Sequence, residues 1–341
     1  MKPIPGKVLL AASQGGHLEE MEPAGRLVEA HQRVWVTQAG PRARALREQG
    51  ERVVLLPDSA RSARGQTRLW RAGLGVGLRE RPEVVITSGP GMAVPVCLGA
   101  RVRGARILFV ETLARVTTQS TTGRILAPLS HATFLQWPEQ ERHYPGGRLC
   151  RPGAFEAIAA AAPPAPGEGT FVTVGTHQAP FHRLLAMVRD ALARGVLPRP
   201  AVVQSGAAGR LELPGATVEP FLTAGEADAA MRRASYVVCH GGIGSIAGAL
   251  RAGRRPLVLS RSRRHREHFD DHQAEIVEKL AALDLVVRLD GGIDRAALDA
   301  ADRAIAPLPS SLGPSLMDAL ASALDEIAAA NGRARRSARR P

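Results

Sequence analysis

The sequence predicts an α/β fold made of two Rossmann-like halves. Near-continuous apolar segments rich in β-branched residues alternate with segments in which Leu, Ala, Arg and Glu recur at helical spacing. Such strands are buried on both faces, which is typical of a parallel sheet covered by helices. The chain has 341 residues, of which 45% are apolar and 23% charged, so it is long enough for two ordinary soluble domains.

Apolar runs predict six strands in the first half and five in the second. The first set is KVLLAAS, RVWVTQ, RVVLLP, EVVITSG, ARILFVE and ATFLQW, and the second is TFVTVGT, AVVQSG, YVVCHGG, RPLVLSR and LVVRL. Between them, AIAAAAPPAPGEG is rich in Ala, Pro and Gly and predicts a linker. We therefore predict an N-terminal domain over residues 1–156, a linker over 157–169, a C-terminal domain over 170–332 and a disordered basic tail over 333–341.

The net charge of +13 is concentrated in the first half and the tail. Residues 1–150 carry 21 Lys and Arg against 12 Asp and Glu, whereas residues 151–332 carry 19 against 20. This asymmetry indicates an anionic partner, either nucleic acid, anionic lipid or a diphosphate substrate. Aromatic residues make up only 4% of the chain and no nucleic-acid-binding module is recognisable, so we predict that the protein does not bind nucleic acid. No apolar run reaches the length of a spanning helix, and we expect a cytoplasmic protein.

Glycine-rich turns follow four of the predicted strands and precede helices. They are ASQGGHLEEM, TSGPGMAVP, VTVGTHQAP and HGGIGSIAGAL. Glycine lets a phosphate approach the backbone closely, and the following helix offers unpaired N–H groups. None of the turns ends in the Gly-Lys-Ser/Thr of a Walker motif. One such turn is weak evidence, but several at the carboxyl ends of strands predict a ligand site in a crevice between the two domains.

His17 follows the first turn and is followed by Glu19 and Glu20. One interpretation is that these residues only cap and stabilise the start of a helix. The other is that an imidazole or carboxylate lies at an anion site, where it accepts a proton from an acceptor hydroxyl. The spacing alone leaves both open.

Histidines recur at helical spacing in RRHREHFDDHQAEIVEKL, which raises the question of a metal site. They are His265, His268 and His272. The neighbouring arginines oppose cation binding, and the two aspartates are typical of a helix start. We therefore predict no metal site, and a polar loop in which His272 and Gln273 face the crevice.

The segment ARSARGQTRLWRAGLGVGLR, residues 60–79, contains five arginines and no acidic residue. It is either a solvated segment with its apolar face on the core, or a basic amphipathic segment on an anionic bilayer with Trp70 at the interface. Its four glycines weaken a helix in either case. The sequence favours neither interpretation.

Taken together, the motifs resemble those of a known group of enzymes. SQGGHLEE, TSGPGMAVPVC and ETLARVTTQSTTGRILAPLSHATFLQWPE resemble the membrane-associated subunit of the two-component N-acetylglucosaminyltransferase that extends dolichol-linked sugars. They are closer still to bacterial exopolysaccharide and capsule glycosyltransferases of that type. FVTVGTHQAPFHRLL, VVQSG, CHGGIGSI and EHFDDHQAEIVEKL resemble the partner subunit, a glycosyltransferase family 28 C-terminal domain. The resemblance covers about residues 7–290 and implies two subunits fused in one chain.

The resemblance implies a glycosyltransferase B fold, in which two Rossmann-like domains face each other across a cleft, with no metal and no cofactor besides the UDP-sugar substrate. It places donor-binding residues at Thr176, His177, Gln204, Phe221, His240, Gly241, Gly242, Gly244, Ser245, His272 and Gln273. It places acceptor-binding residues at Gly15, Gly16, Gly89, Gly91 and Arg115. The catalytic residues that it implies are His17, Glu20 and Glu111.

The function that follows is inverting transfer of a hexosyl group from a UDP-sugar to a polyprenyl-diphosphate-linked sugar, in exopolysaccharide or capsule biosynthesis. The protein would act peripherally at the inner face of the plasma membrane. Related sequences usually have Glu at the position of Gly248, where it holds the ribose hydroxyls. Its absence removes up to two charge-assisted hydrogen bonds, each worth roughly 1.5–3 kcal/mol. The alternative is therefore a catalytically weak scaffold subunit that only binds sugar nucleotides. The sequence does not identify the sugar.

Overall fold

A computed structural model describes residues 6–58, 62–155, 166–268, 272–305 and 307–337, without the side chains of His272 and of residues 332–337. The chain divides into two compact units. The first unit comprises residues 1–153 and 310–341, and the second comprises residues 154–309.

The first unit is built on a seven-stranded parallel sheet with the order β3-β2-β1-β4-β5-β6-β7. Six of its strands lie within the predicted apolar runs, and the seventh, β7, is a short additional strand. Their bounds are β1 (Val8–Ala11), β2 (Arg33–Gln38), β3 (Val53–Leu56), β4 (Val84–Thr87), β5 (Arg106–Val110), β6 (Ala132–Leu135) and β7 (Arg148–Leu149).

Helices cover both faces of this sheet, as near-continuous apolar strands require. The crossover helices are α1 (Gly16–Gly25), α2 (Pro41–Glu48), α3 (Ala63–Glu80), α4 (Ala93–Val102) and α5 (Thr121–Leu126). One core cluster joins the sheet to α1 through Leu18 and Met21. The cluster on the other face joins it to α3 and α4 through Leu69, Val76 and Val96.

The glycines of α3 allow the backbone of this helix to pack directly against α4. A Cβ at Gly77 would lie 2.3 Å from the carbonyl oxygen of Val96, and one at Gly73 would lie 2.8 Å from Pro95. On α4, a Cβ at Gly99 would lie 2.3 Å from the carbonyl oxygen of Leu74. The close approach of the two helices therefore offsets the low helix propensity of these glycines.

The second unit repeats the architecture with six parallel strands in the order β10-β9-β8-β11-β12-β13. The strands are β8 (Thr170–Thr173), β9 (Ala201–Gln204), β10 (Ala216–Glu219), β11 (Tyr236–His240), β12 (Leu257–Leu259) and β13 (Val287–Arg288). The helices are α6 (His182–Ala193), α7 (Ala224–Arg233), α8 (Ile243–Arg251), α9 (His272–Ala282) and α10 (Arg295–Ala301). This is the strand order of the Rossmann fold, so the prediction of two Rossmann-like halves is confirmed.

The last helix, α11 (Leu316–Ser337), belongs to the first unit, which corrects the predicted domain boundary at residue 332. Leu316, Leu320 and Leu324 are buried in the core cluster that contains α1. The amphipathic pattern of this segment predicted a helix, but it does not encode which sheet the apolar face covers.

Parts of the predicted linker and tail lie outside the described residues. For the linker this applies to residues 157–165, and for the tail to residues 338–341. The backbone of residues 333–337 continues α11, so disorder is not what the structure shows for that part of the predicted tail.

We predict that Gly77→Ala destabilises the first unit, whereas Gly75→Ala does not. Forcing a methyl group against the backbone of α4 should cost about 1–3 kcal/mol. Gly75 lies on the same helix, but a Cβ there would meet only the Arg79 guanidinium at 3.7 Å, so alanine should be neutral or stabilise by up to about 1 kcal/mol. Urea unfolding followed by tryptophan fluorescence measures this, since all three tryptophans lie in the first unit. Equal shifts for the two variants would contradict the close-packing account.

Candidate functional site

The glycine-rich turns among the predicted site residues lie where the strand order of each sheet reverses. In the first unit this point lies between β1 and β4, where Ala11 pairs with Thr87. In the second it lies between β8 and β11, where Thr173 pairs with Cys239. Loops that leave neighbouring strands in opposite directions open a crevice at the carboxyl edge of a parallel sheet, which is the usual ligand position in such folds. The four glycine-rich turns occupy these two points, one pair in each unit.

In the first unit, the turn after β1 leads to His17 at the start of α1. Gly15 has a φ of 86°, and a Cβ at Gly15 or Gly16 would have no neighbour within 4 Å, so the backbone is open here. The Nδ1 atom of His17 shares a hydrogen bond of 3.0 Å with the hydroxyl group of Ser88, in the turn after β4. Burial lowers the pKa of His17 to about 4, and the hydrogen bond with Ser88 opposes this only in part. The imidazole is therefore neutral near pH 7.

The hydrogen bonds of Ser88 determine which nitrogen of the neutral His17 ring carries the proton. The Ser88 hydroxyl also donates to the carbonyl oxygen of His17 over 3.4 Å. When its proton is used there, Nδ1 of His17 must be the donor in the other bond. The Nε2 atom then carries a lone pair and can accept a proton.

Glu20 lies one turn further along α1 and is only 4% exposed. The Leu113 amide donates to its carboxylate over 3.3 Å, and the Gln136 side chain donates a second hydrogen bond. Burial raises the pKa of Glu20 to about 7, and the charge of Glu111 adds to this effect. Glu20 therefore changes charge near neutral pH while tied to the loop that follows β5.

Glu111 has no exposed surface, and internal groups bind both oxygens of its carboxylate. The Thr112 amide donates to one oxygen over 2.9 Å, and the Ser120 amide and hydroxyl and the Tyr144 hydroxyl donate to the other. Burial raises the pKa of Glu111. These contacts favour a positioning role for Glu111 over the catalytic role predicted from the sequence.

Buried side chains after β6 hold the loop of residues 112–120, and the sequence analysis had not singled them out. The Trp137 indole donates to the Leu113 carbonyl over 2.9 Å, and the Gln140 side chain donates to the Arg115 carbonyl. The Gln136 side chain donates to the Glu111 carbonyl over 3.0 Å. The signal was present as the polar segment QWPEQ directly after an apolar strand. The loop is thereby fixed, with the partly exposed Arg115 in its middle.

The acceptor-side glycines Gly89 and Gly91 lie in the turn after β4. Gly89 has a φ of 78° and fits against Phe109, 2.7 Å from where its Cβ would be, so any side chain is excluded there. Gly91 has no neighbour within 4 Å of a Cβ position, like Gly15 and Gly16. The structure thus brings the predicted acceptor glycines together around His17 and Ser88.

In the second unit, the ring of His240 lies between two glycine turns. A Cβ at Gly175 would lie 2.4 Å from its Cε1 atom, and one at Gly242 would lie 2.2 Å from its Nε2 atom. These glycines are therefore required to make room for the imidazole, a reason that the sequence did not reveal. Burial lowers the pKa of His240 to about 3, and the charge of Arg261 lowers it further. His240 is a neutral group beneath the turn.

The N-terminus of α8 presents the predicted phosphate-binding backbone. Gly242 caps the helix without a side chain, and Gly244 and Ser245 in the first turn are partly exposed. In the neighbouring loops, Thr176 is exposed and Phe221 is 57% exposed after β10. Unpaired N–H groups and the positive end of the helix dipole favour an anion at such a helix end.

Arg261, after β12, is fully buried and holds the loop between β8 and α6. Its guanidinium donates to the carbonyl oxygens of Val174 over 2.8 Å and of Ala179 over 2.9 Å, and lies 4.6 Å from the centre of the Phe181 ring. Sequence reasoning missed it because neighbouring arginines masked its pattern. Arg261 positions the loop that contains Thr176 and His177.

Two further predicted donor residues are buried or tied to this framework. Gln204 is buried, and its side chain donates to the Gly175 carbonyl over 3.3 Å. The Gln273 side chain accepts from the Arg261 amide over 3.1 Å and lies beside Gly241. His272 begins α9, but its side chain lies outside the described residues.

Two family models match consecutive parts of the chain. Residues 66–150, in the first unit, match a model described as "Oligosaccharide biosynthesis protein Alg14 like". Residues 170–288, in the second unit, match one described as "Glycosyltransferase family 28 C-terminal domain". The second match lies within the second unit and contains every predicted donor-binding residue.

Individual proteins are also similar to part of this chain. The UDP-N-acetylglucosamine transferase subunit ALG14 of Mus musculus is 39% identical over 74 residues, which are 20% of this chain and 34% of that protein. The subunit of that name from Eremothecium gossypii is 29% identical over 178 residues, 41% of this chain and 76% of that protein. This chain thus matches about a third of the mouse relative's length.

A solved structure is similar in fold to most of this chain. MurG of Acinetobacter baumannii aligns with a TM-score of 0.58 and 16% identity, over 94% of this chain and 100% of that chain. The likeness confirms the predicted fold class, the glycosyltransferase B fold.

In the second unit, the space beside Gly248 is filled by Met231 of α7. A Cβ at Gly248 would lie 2.8 Å from the sulfur atom of Met231 and 3.4 Å from its methyl carbon. A glutamate at this position would displace Met231. The absence of a side chain at Gly248 therefore allows Met231 of α7 to pack against α8.

We predict that Glu20→Gln removes a pH-dependent destabilisation of the first unit. The folded state binds the Glu20 proton more tightly than the unfolded state, with a pKa of about 7 instead of 4.5. The wild type therefore loses stability from this group as pH rises from about 4.5 through 7, by about 3 kcal/mol in total. Glutamine keeps an oxygen that accepts both hydrogen bonds and has no charge to bury.

The measurement is the urea midpoint at pH 5 and pH 8, with Glu48→Gln at an exposed position as the control. The difference in stability between the Glu20→Gln variant and the wild type should increase in favour of the variant from pH 5 to pH 8. The control should show the same change with pH as the wild type. Parallel pH profiles for all three proteins would show that Glu20 is not buried as described.

Proposed function

We propose that this protein is an inverting glycosyltransferase that moves a hexosyl group from a UDP-sugar to a polyprenyl-diphosphate-linked sugar. The observation that carries the proposal is the tandem arrangement in one chain of an Alg14-like segment and a family 28 domain. The two would correspond to fused subunits of a bacterial exopolysaccharide or capsule enzyme. Open glycine turns at the carboxyl edge of each sheet support one diphosphate site in each unit.

The second unit would bind the donor. Its α8 N-terminus would hold the donor diphosphate through backbone N–H groups, and the exposed Phe221 would contact the base. The names of the ALG14 relatives make UDP-N-acetylglucosamine the first donor to test. Ribose would be held by groups other than residue 248, because Met231 occupies that space.

The first unit would bind the acceptor diphosphate at the turns around Gly15 and Gly89 and near Arg115. His17 is the better candidate for the base, since it is more accessible than Glu20 and its pKa keeps it neutral. The acceptor oxygen attacks the anomeric carbon, His17 takes the hydroxyl proton, and the bond from that carbon to the UDP oxygen breaks. The charge that develops on UDP is stabilised by the α8 backbone N–H groups.

The exposed face of α3 supports attachment to an anionic membrane. Trp70 and Leu74 are 45% and 39% exposed, and Arg64, Arg68 and Arg71 are exposed beside them. Among the described residues, no helix is both long and apolar enough to span a bilayer. We therefore propose peripheral binding at the cytoplasmic face, with arginines on anionic head groups and Trp70 in the interface.

The alternative is a scaffold subunit that binds sugar nucleotides without transfer. The packing of Met231 against Gly248 supports it, because a ribose-binding carboxylate is absent. Binding of UDP without turnover of any donor would favour this alternative.

We predict that His17→Ala lowers the rate of sugar transfer by about 10²- to 10⁴-fold, because the transfer loses its general base. The affinity for UDP should not change, since His17 lies in the first unit. The assay incubates the full chain with UDP-N-acetylglucosamine or other UDP-hexoses and polyprenyl-diphosphate-linked sugars in anionic liposomes, and measures UDP release and product mass. His31→Ala, at an exposed position of the same unit, is the control. Transfer by His17→Ala at the wild-type rate would exclude His17 as the base.

A further inference from the structure

His268, which the sequence pattern raised only as a candidate metal ligand, lies against His177 in the second unit. The two ring centres are 4.9 Å apart, and the rings are inclined by 38°. His177 belongs to the loop after β8, and His268 to the segment after β12. Strands β8 and β12 flank β11, so these imidazoles lie at the same edge of the sheet as His240.

A backbone amide of the loop determines the tautomer of the neutral His177 ring. The Ala179 amide donates a hydrogen bond of 3.1 Å to the Nδ1 atom of His177. An accepting Nδ1 carries no proton, so the proton of the neutral ring is on Nε2. His177 is thus fixed in the form that offers an N–H donor from Nε2.

The charges around the imidazoles favour an anion. Arg261 is buried beneath the same loop, and Arg183 lies close by. Among the described residues around this pair, the acidic neighbour is Glu267, and its carboxylate already accepts from Arg183 over 2.8 Å and from the Ser262 amide over 3.0 Å. Its negative charge is therefore compensated, while the buried guanidinium of Arg261 is bound mainly to neutral carbonyl groups.

We infer that His268 and His177 together form an imidazole pair that binds the diphosphate of a nucleoside diphosphate, in addition to the backbone N–H groups of α8. The inference rests on the proposed function in one respect, the identity of the ligand as a nucleoside diphosphate. Imidazole N–H groups on a phosphate oxygen make charge-assisted hydrogen bonds, which are stronger than bonds between neutral groups. His268 is then a donor-binding residue of this chain.

The test is calorimetric titration of the full chain with UDP, with pyrophosphate and with uridine, in buffer that contains EDTA. His268→Ala should weaken the affinity for UDP and for pyrophosphate by about 10- to 100-fold, as expected for the loss of one hydrogen bond to a charged group. Uridine has no phosphate, and its affinity should not change. His265→Ala, three residues earlier at an exposed position, is the matched control and should bind all three ligands like the wild type.

A second variant separates binding from packing. His268→Phe keeps a ring against His177 but has no nitrogen, so it should lose as much UDP affinity as His268→Ala while it unfolds at the wild-type temperature. Wild-type UDP affinity in His268→Phe would overturn the inference and leave His268 as a packing residue. An equal loss of uridine affinity in His268→Ala would also overturn it.

The inference and the proposed function fail in different ways. If the wild type transfers sugar but His268→Ala binds UDP normally, only the inference falls. If no donor is turned over but UDP and pyrophosphate bind in a His268-dependent manner, the inference stands and transfer is excluded.

Discussion

The reversal of strand order in each parallel sheet is the constraint on which the candidate sites depend. In both sheets the chain leaves the central pair of strands in opposite directions, so two loops end side by side at the carboxyl edge. A helix begins directly after three of these turns, at Gly16, Ala93 and Ile243. Helix N-termini and open backbone at such a position attract anions without metal or a dedicated cation. The same constraint acts twice in this chain, once in each unit.

Buried polar side chains give these loops their shape. Glu111 and Gln136 hold the loop after β5 from within the first unit, and Arg261 holds the loop after β8 in the second. Burying a polar or charged side chain costs free energy that its hydrogen bonds offset, so the bonds that these side chains make fix the backbone segments that they contact. Loops held in this way are preorganised for a ligand, which lowers the entropy lost on binding.

The sequence predicted what local patterns encode. The predicted strands of both sheets and the glycine turns after them correspond to elements of the structure, because apolar runs and turn residues determine the local conformation of the chain. The family resemblance then selected the fold class. Packing between distant segments was not predictable in the same way. The amphipathic pattern of α11 does not specify which sheet the helix covers. The role of the α3 glycines, which is close packing against α4, is visible only in the structure.

The candidate site shows the same division. The positions of His17, Gly242 and Ser245 followed from motifs, whereas the burial of Glu111 and the roles of Arg261 and His268 depend on partners far away in the sequence. Single-sequence patterns identify a turn or a helix start, but they do not show which side chain lies beneath it. His240 illustrates this, since two glycines that suggested phosphate binding also make room for its ring.

Backbone N–H groups at the reversal point of the second sheet are proposed to bind a nucleotide diphosphate. Hydrogen–deuterium exchange of the full chain with and without UDP measures whether they do. We expect slower exchange at residues 241–245 and in the loop of residues 174–178 when UDP is present, with no change at residues 12–17 of the first unit. Unchanged exchange at residues 241–245 under saturating UDP, or protection confined to other parts of the chain, would contradict it.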